Sequence, residues 1–185
     1  MAFASPFSYY GILDTGYVSE RDWQAKYDAL VAGGASLVQI RAKRESAQAR
    51  ADLLSQIIER RAQGAHPPLI VNDDIELCLS YPHLGLHVGQ DDLPATEARK
   101  LLGPDRLLGL STHSPQQALA AIGLGPGILS YFAVGPVFPT QTKPDYQAVG
   151  LELVEFVAKQ KSVLPFFCIG GINRGNVARV KAAGG

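Results

Sequence analysis

The apolar positions along this chain switch between two periods. Short β-rich runs fall at YYGIL (9–13), SLVQIR (36–41), PLIVN (68–72), LGLHV (84–88), RLLGLS (106–111), ILSYFAV (128–134) and LPFFCI (164–169). Between several of them the apolar residues recur at helical spacing. Ser19 is placed to cap a first helix with Trp23, Tyr27, Leu30 and Val31 on one face and Gly33-Gly34 at its end. A second helix puts Ala47, Ala51, Leu54 and Ile58 on one face and stops near Gly64. Pro94 and Gly103 bracket another, and Ser114-Pro115 opens a further one as an N-cap followed by proline. Leu153, Val154 and Val157 share a side after Gly150, and Asn173 is placed to cap the last helix.

Strand alternating with helix implies parallel strands joined by right-handed crossovers. A doubly wound sheet and a closed (β/α)₈ barrel both fit that alternation. Seven strands are visible, and the sequence stops at AAGG in the seventh helix or the turn after it. A barrel takes roughly 200 residues or more, and this chain has 185. The expectation is an α/β (β/α)₈ TIM barrel lacking its eighth strand and helix, in which residues 1–185 form a single, C-terminally incomplete domain.

Polar residues collect at the C-terminal ends of the strands. In VQIRAK, Gln39, Arg41 and Lys43 lie two apart, so an extended chain points all three to one face and Val38 and Ile40 to the other. A parallel strand is normally buried on both faces, which makes a merely solvated face a strained explanation. Strand three ends in Asn72, Asp73 and Asp74, and strand four leads to Asp91 and Asp92. Each acidic group alone reads as a helix cap; two at the ends of successive strands suit Mg²⁺, which takes hard oxygens from one or two carboxylates. Ser111, Thr112 and His113 end strand five; Thr140, Thr142 and Lys143 lie on a Pro/Gly-rich loop after strand six; Gly170-Gly171 follows strand seven. Glycines before a helix let backbone N–H groups approach an anion. Three cations, two metal-type carboxylates and several hydroxyl or backbone donors suit a phosphorylated substrate, a diphosphate with Mg²⁺, at the rim where barrel enzymes place their sites.

Composition narrows the classes. The hydrophobic fraction is 46% and the charged fraction 18%, which excludes a disordered, collagenous or coiled-coil chain. Seventeen basic and seventeen acidic residues cancel, leaving no cationic excess for a nucleic-acid backbone. Two cysteines do not make a disulfide scaffold, the N-terminus has no positive charge before Arg21, and no apolar run nears the ~20 residues of a membrane helix. The expectation is a cytoplasmic protein acting on small molecules, without nucleic-acid or membrane partners and with a homo-oligomer left open. Cys78 and Cys168 read as core, Trp23 as packing of the first helix, His66 and His83 as exposed, and His87 and His113 as rim residues without zinc spacing.

QIRAK, VNDD, HVGQDDL, GLSTH, GPVFPTQTKPD and IGGIN, in this order, resemble the thiamine-phosphate synthase (thiamine-phosphate diphosphorylase) family. The resemblance runs from YYGILD to the C-terminus. It implies a (β/α)₈ barrel that joins hydroxymethylpyrimidine diphosphate to thiazole phosphate, releasing diphosphate and forming thiamine phosphate. It further implies that Gln39, Arg41, Lys43, Asn72, Ser111 and Lys143 hold the pyrimidine diphosphate, that Asp73 and Asp92 bind Mg²⁺, and that Thr140, Thr142 and Gly171 contact the thiazole phosphate. The chemistry it implies is dissociative, with no protein nucleophile. CLSYPHLGLHVGQ departs from the family's Gly-Ala-Asp stretch before the fourth strand, and the family's eighth strand is missing from the sequence. A thiazole tautomerase-like isomerase and a non-catalytic phosphate-ligand binding protein are the alternatives.

Overall fold

A computed structural model describes residues 9–19, 21–61, 64–140 and 147–185. The chain divides into two compact units, Met1–His87 and Val88–Gly185. The first holds β1 (Tyr10–Asp14), α1 (Trp23–Ala32), β2 (Leu37–Arg41), α2 (Ala47–Arg61), β3 (Leu69–Asn72), α3 (Ile75–Leu79) and all but the last residue of β4 (Gly85–Val88). The second holds α4 (Ala95–Leu102), β5 (Leu108–Thr112), α5 (Pro115–Leu124), β6 (Tyr131–Val134), α6 (Gly150–Lys159), β7 (Phe166–Cys168) and α7 (Val177–Ala182). Every recorded strand pair within a unit is parallel, and each strand lies beside its neighbour in sequence: β1-β2-β3-β4 in the first and β5-β6-β7 in the second. A doubly wound sheet reverses its strand order at a switch point. Sequential order is that of a (β/α) barrel wall. No eighth strand occurs among the described residues.

In the first unit Val38, Ile40, Leu69 and Val71 are buried, as are Leu54 and Ile57 of α2 and Cys78 of α3. Ile40 and Val71 share a small cavity with Leu54 and Leu77, so this face of the strands meets the helices. Burying each such side chain contributes about 1.5–3 kcal/mol. Tyr27 of α1 is fully buried. Its hydroxyl reaches His66 Nδ1 at 3.3 Å and the two rings stack at 5.8 Å. Burial pushes the Tyr27 phenol above its ordinary value. His66 is therefore a half-buried packing partner rather than the exposed residue expected from its Pro-flanked connection.

The helix signals hold where a side chain closes its own turn. Ser114 Oγ accepts the Gln117 N–H at 3.2 Å and Pro115 occupies the first turn of α5. Gly103, at φ +75°, ends α4. Leu153, Val154 and Val157 are the buried face of α6. Three expectations need correction. Ser19 does not cap α1: its hydroxyl donates to Asp22 at 2.7 Å in a turn that precedes a helix starting at Trp23. Asn173 does not cap α7: its Oδ1 accepts the Gly175 N–H at 2.8 Å, and the helix begins at Val177. In α2, Ile57 and not Ile58 joins Leu54 in the core, and Ala47 is exposed.

Arg99 of α4 is an unexpected buried cation, only 9% exposed. Its Nε donates to the Ile128 carbonyl at 2.8 Å, and its Nη1 to the carbonyls of Gly103 (2.6 Å) and Arg106 (2.8 Å). Burial pulls its pKa down, opposed by Asp105. One guanidinium thus closes the backbone of the α4–β5 connection and the stretch before β6. Arg99→Met leaves three carbonyls without their donor and is expected to lower unfolding free energy by roughly 2–4 kcal/mol, read as the urea midpoint. Arg99→Lys, which lacks the fork, recovers only part of the loss.

Cys168 ends β7, and burial pushes its thiol up to about 12 from 9.0. The unfolded chain loses that proton first, so this contribution to stability is complete below pH 9 and is lost between pH 9 and about 12. At pH 8 iodoacetamide should label Cys168 far more slowly in the native than in the denatured protein. Equal labelling rates would contradict the burial.

Candidate functional site

The polar face of β2 is built against β1. In register, Ile12 lies opposite Gln39 and Asp14 opposite Arg41, so Tyr10, Ile12 and Asp14 share the face of Gln39 and Arg41. Gln39 is 3% exposed and its amide Nε2 donates to the Tyr10 hydroxyl at 2.8 Å. Tyr10 also meets the buried His87 ring edge-on, with centroids 6.3 Å apart. Arg41 Nη1 donates to Asp14 Oδ2 at 2.6 Å. Lys43, just past the strand, pairs with Asp73 at 2.8 Å.

The acidic run after β3 divides its labour. Asp74 Oδ1 accepts the Leu77 N–H at 2.9 Å and caps α3, while its Oδ2 pairs with Arg50 at 2.9 Å. Asp74 is thus a structural cap. Asp73 stands at φ +61°, in the left-handed region, and its own N–H donates to the His87 carbonyl at 2.9 Å. The turn places its carboxylate with Lys43 and with Asn72, whose Nδ2 donates at 2.6 Å. A non-glycine residue held there costs energy, and such strain clusters at functional sites. Lys43, Asn72 and Asp73 therefore form one hydrogen-bonded group.

In the second unit Asp92 Oδ2 accepts the Gly89 N–H at 2.7 Å and closes the turn after β4. Gln90 Nε2 donates to the Ser111 carbonyl at 2.6 Å, tying that turn to the end of β5. His113 Nδ1 donates to the Gly135 carbonyl at 2.5 Å, which fixes Nδ1 as the protonated nitrogen. After β7, the Phe138 N–H donates to the Gly170 carbonyl at 3.0 Å, so the loop after β6 and the Gly170-Gly171 turn run backbone to backbone. A Cβ on Gly171, at φ +65°, would sit 2.6 Å from the Pro139 carbonyl oxygen and 2.7 Å from Phe138 Cβ. Only glycine admits this approach, which sets Gly171 against the residue preceding Thr140. Asn176 Nδ2 holds the Gly171 carbonyl at 3.0 Å.

The structure therefore joins Lys43, Asn72 and Asp73, sets Gln39 and Arg41 on one strand face, links the Asp92 turn to Ser111, and brings Gly171 to the Thr140 loop. Thr142 and Lys143 lie outside the described residues. Tyr10, Asp14 and Asn176 were missed in the sequence. The signal for the first two was present: Tyr10 and Asp14 repeat at the even spacing that Gln39 and Arg41 follow. Among the described residues no three His, Cys, Asp or Glu side chains gather as a metal-binding group. No helix among them is long and apolar enough to cross a membrane.

Parallel strands in sequential order, each followed by a helix, define an α/β protein of the TIM-barrel type. The sequence model of the family described as thiamine monophosphate synthase matches residues 9–185. Thiamine-phosphate synthase of Shouchella clausii is 38% identical over 179 residues, covering 97% of this chain and 84% of that protein. Its counterpart from Pelotomaculum thermopropionicum is 41% identical over 176 residues, covering 95% and 78%. The solved thiamine phosphate pyrophosphorylase from Pyrococcus furiosus superposes with a TM-score of 0.77 at 26% identity, covering 96% of this chain and 82% of that one. The chain belongs to the thiamine monophosphate synthase family.

Gly171→Ala is expected to push the Phe138–Pro139 backbone away and to lower the unfolding free energy by roughly 1–3 kcal/mol, read as the urea midpoint.

Proposed function

We propose that this chain is a thiamine-phosphate synthase: it joins hydroxymethylpyrimidine diphosphate to thiazole phosphate and releases thiamine phosphate and diphosphate. The observation that carries the reading is the family match across residues 9–185, together with the polar group Gln39, Arg41, Lys43, Asn72 and Asp73 that one unit retains. A thiazole tautomerase would have no use for the diphosphate-type cations Arg41 and Lys43, and that reading is not favoured.

The bond between the pyrimidine methylene carbon and the diphosphate oxygen breaks, and its electron pair leaves with the diphosphate. The thiazole nitrogen then gives its lone pair to the methylene carbon, so no protein nucleophile is required. Arg41, Lys43 and Lys143 are assigned to the diphosphate, where negative charge grows as the bond breaks. Preorganised cations lower the barrier by meeting that charge as it develops. Gln39, Asn72 and Ser111 are assigned to orienting the pyrimidine substrate, and Thr140, Thr142 and Gly171 to the thiazole phosphate. Holding the two substrates in line supplies much of the remaining acceleration.

Asp73 and Asp92 are the residues that would hold Mg²⁺. Both offer hard carboxylate oxygens, the donor type this ion takes, and one or two carboxylates suffice when water and phosphate complete the shell. Asp92 uses Oδ2 for the Gly89 N–H, while its Oδ1 has no hydrogen-bond partner among the described residues. Mg²⁺ bound there would neutralise charge on the departing diphosphate. The reaction is placed in the cytoplasm with small-molecule substrates, and the even balance of seventeen acidic and seventeen basic residues fits a partner set without nucleic acid.

The test is release of diphosphate, followed with a coupled assay. Release should require both substrates and Mg²⁺ and should stop on addition of EDTA. A folded protein that binds both substrates yet releases nothing would overturn the enzyme reading. Lys43→Ala should weaken pyrimidine diphosphate binding by about tenfold to a hundredfold and leave thiazole phosphate binding nearly unchanged. Equal losses for the two ligands would contradict the assignment of Lys43.

A further inference from the structure

β1 contributes no residue to the substrate contacts assigned above, yet it ends in a buried carboxylate. Asp14 is 7% exposed, and it lies directly opposite Arg41 in the parallel register. Its two oxygens serve different partners. Oδ1 accepts the Gly16 N–H at 2.9 Å and belongs to the turn after β1. Oδ2 accepts from Arg41 Nη1 at 2.6 Å, with side-chain exposures of 16% for Arg41 and 10% for Asp14. Nε and Nη2 of Arg41 have no hydrogen-bond partner among the described residues. A planar guanidinium gripped at one edge keeps its orientation and has donors left to meet paired phosphoryl oxygens.

We infer that Asp14 is a positioning residue for the synthase reaction, orienting the Arg41 guanidinium toward the diphosphate of the incoming pyrimidine substrate. This rests on the reading of Arg41 given above and adds a residue to it. A turn-forming role alone would need only Oδ1. The second oxygen, on the strand face shared with Gln39 and Arg41, is what that role leaves unexplained. An arginine without this carboxylate would sweep several rotamers, and a misplacement near 1 Å at a reacting group can cost about a hundredfold in rate.

Asp14→Asn separates the two roles. Asparagine keeps an oxygen for Gly16 and presents an NH₂ to Arg41, where an acceptor stood. The expected result is a fall in kcat/KM for the pyrimidine diphosphate of about 10- to 100-fold, with KM for thiazole phosphate unchanged; the thermal midpoint falls as well, because the shielded Arg41 keeps its charge without its carboxylate. In an Arg41→Gln background the same change should cost little more, because its target is gone. Equal costs in both backgrounds would overturn the proposal. Should Arg41→Gln alone leave kcat/KM for the pyrimidine diphosphate unaltered, the reading of Arg41 fails first and the inference with it. Should Asp14→Asn not fold, Arg41→Ala with Asp14 intact decides the matter. Added guanidinium ion should settle against the Asp14 carboxylate and restore part of the lost kcat/KM, and a folded Arg41→Ala protein that shows no such rescue counts against the proposal.

Discussion

A strand has only two faces, and in this chain one of them is committed to the helices. Val38 and Ile40 are buried among apolar side chains, so Gln39 and Arg41 must turn the other way. That second face is itself largely shielded from solvent. Gln39 is 3% exposed, and a polar group so buried loses more than it gains unless something bonds it. The parallel register supplies that partner from the adjacent strand: Tyr10 for Gln39 and Asp14 for Arg41. The positions of the polar side chains on β2 therefore depend on a β1 whose own residues repeat at the same period. A slip of one residue would place Leu13 beside Arg41 and leave a shielded cation without its carboxylate.

This dependence explains what could be read from the sequence and what could not. The strands, the caps at Ser114 and the stop at Gly103 depend on residues within one turn of each other, so their signals are local. Gln39, Arg41 and Lys43 could be recognised because alternation within one strand is also local. Asp14 escaped because its meaning comes from pairing with a strand 27 residues away, and an aspartate at a strand end otherwise reads as a turn residue. His66 escaped for the same reason: its place is set by Tyr27 of a different element, 39 residues distant. At Ser19 and Asn173 the capping residue type was right, but each side chain found a nearer partner, Asp22 or Gly175, before the helix began.

The run Asn72-Asp73-Asp74 shows the limit of composition more sharply. Two neighbouring aspartates look interchangeable in the sequence. One backbone angle separates them: Asp73 takes φ +61°, and Asp74 takes an extended conformation that suits an N-cap. The second is then spent on the α3 N-terminus and Arg50, and the first is delivered to Lys43 and Asn72. Gly171 shows the same logic in the other unit, where a close backbone approach needs a residue without Cβ and two adjacent glycines do not reveal which of them abuts Phe138 and Pro139.

Two cation pairs of the first unit, one on the polar face of β2 and one just past it, differ in how far they are shielded from solvent. Arg41 and Asp14 have side chains 16% and 10% exposed, whereas Lys43 and Asp73 are 49% and 23% exposed. A solvated lysine pair is worth about 0–1 kcal/mol, so Lys43 can leave Asp73 at little cost. Removing Arg41 from its shielded carboxylate would strand a buried charge, which costs far more. The site thus combines a fixed cation with an exchangeable one. A fixed guanidinium keeps one orientation. An exchangeable ammonium neutralises Asp73 and, on the proposed function, would move to the diphosphate when that group competes for it. A chain with no net charge can in this way present positive charge locally, without the broad cationic surface that would attract polyanions in general.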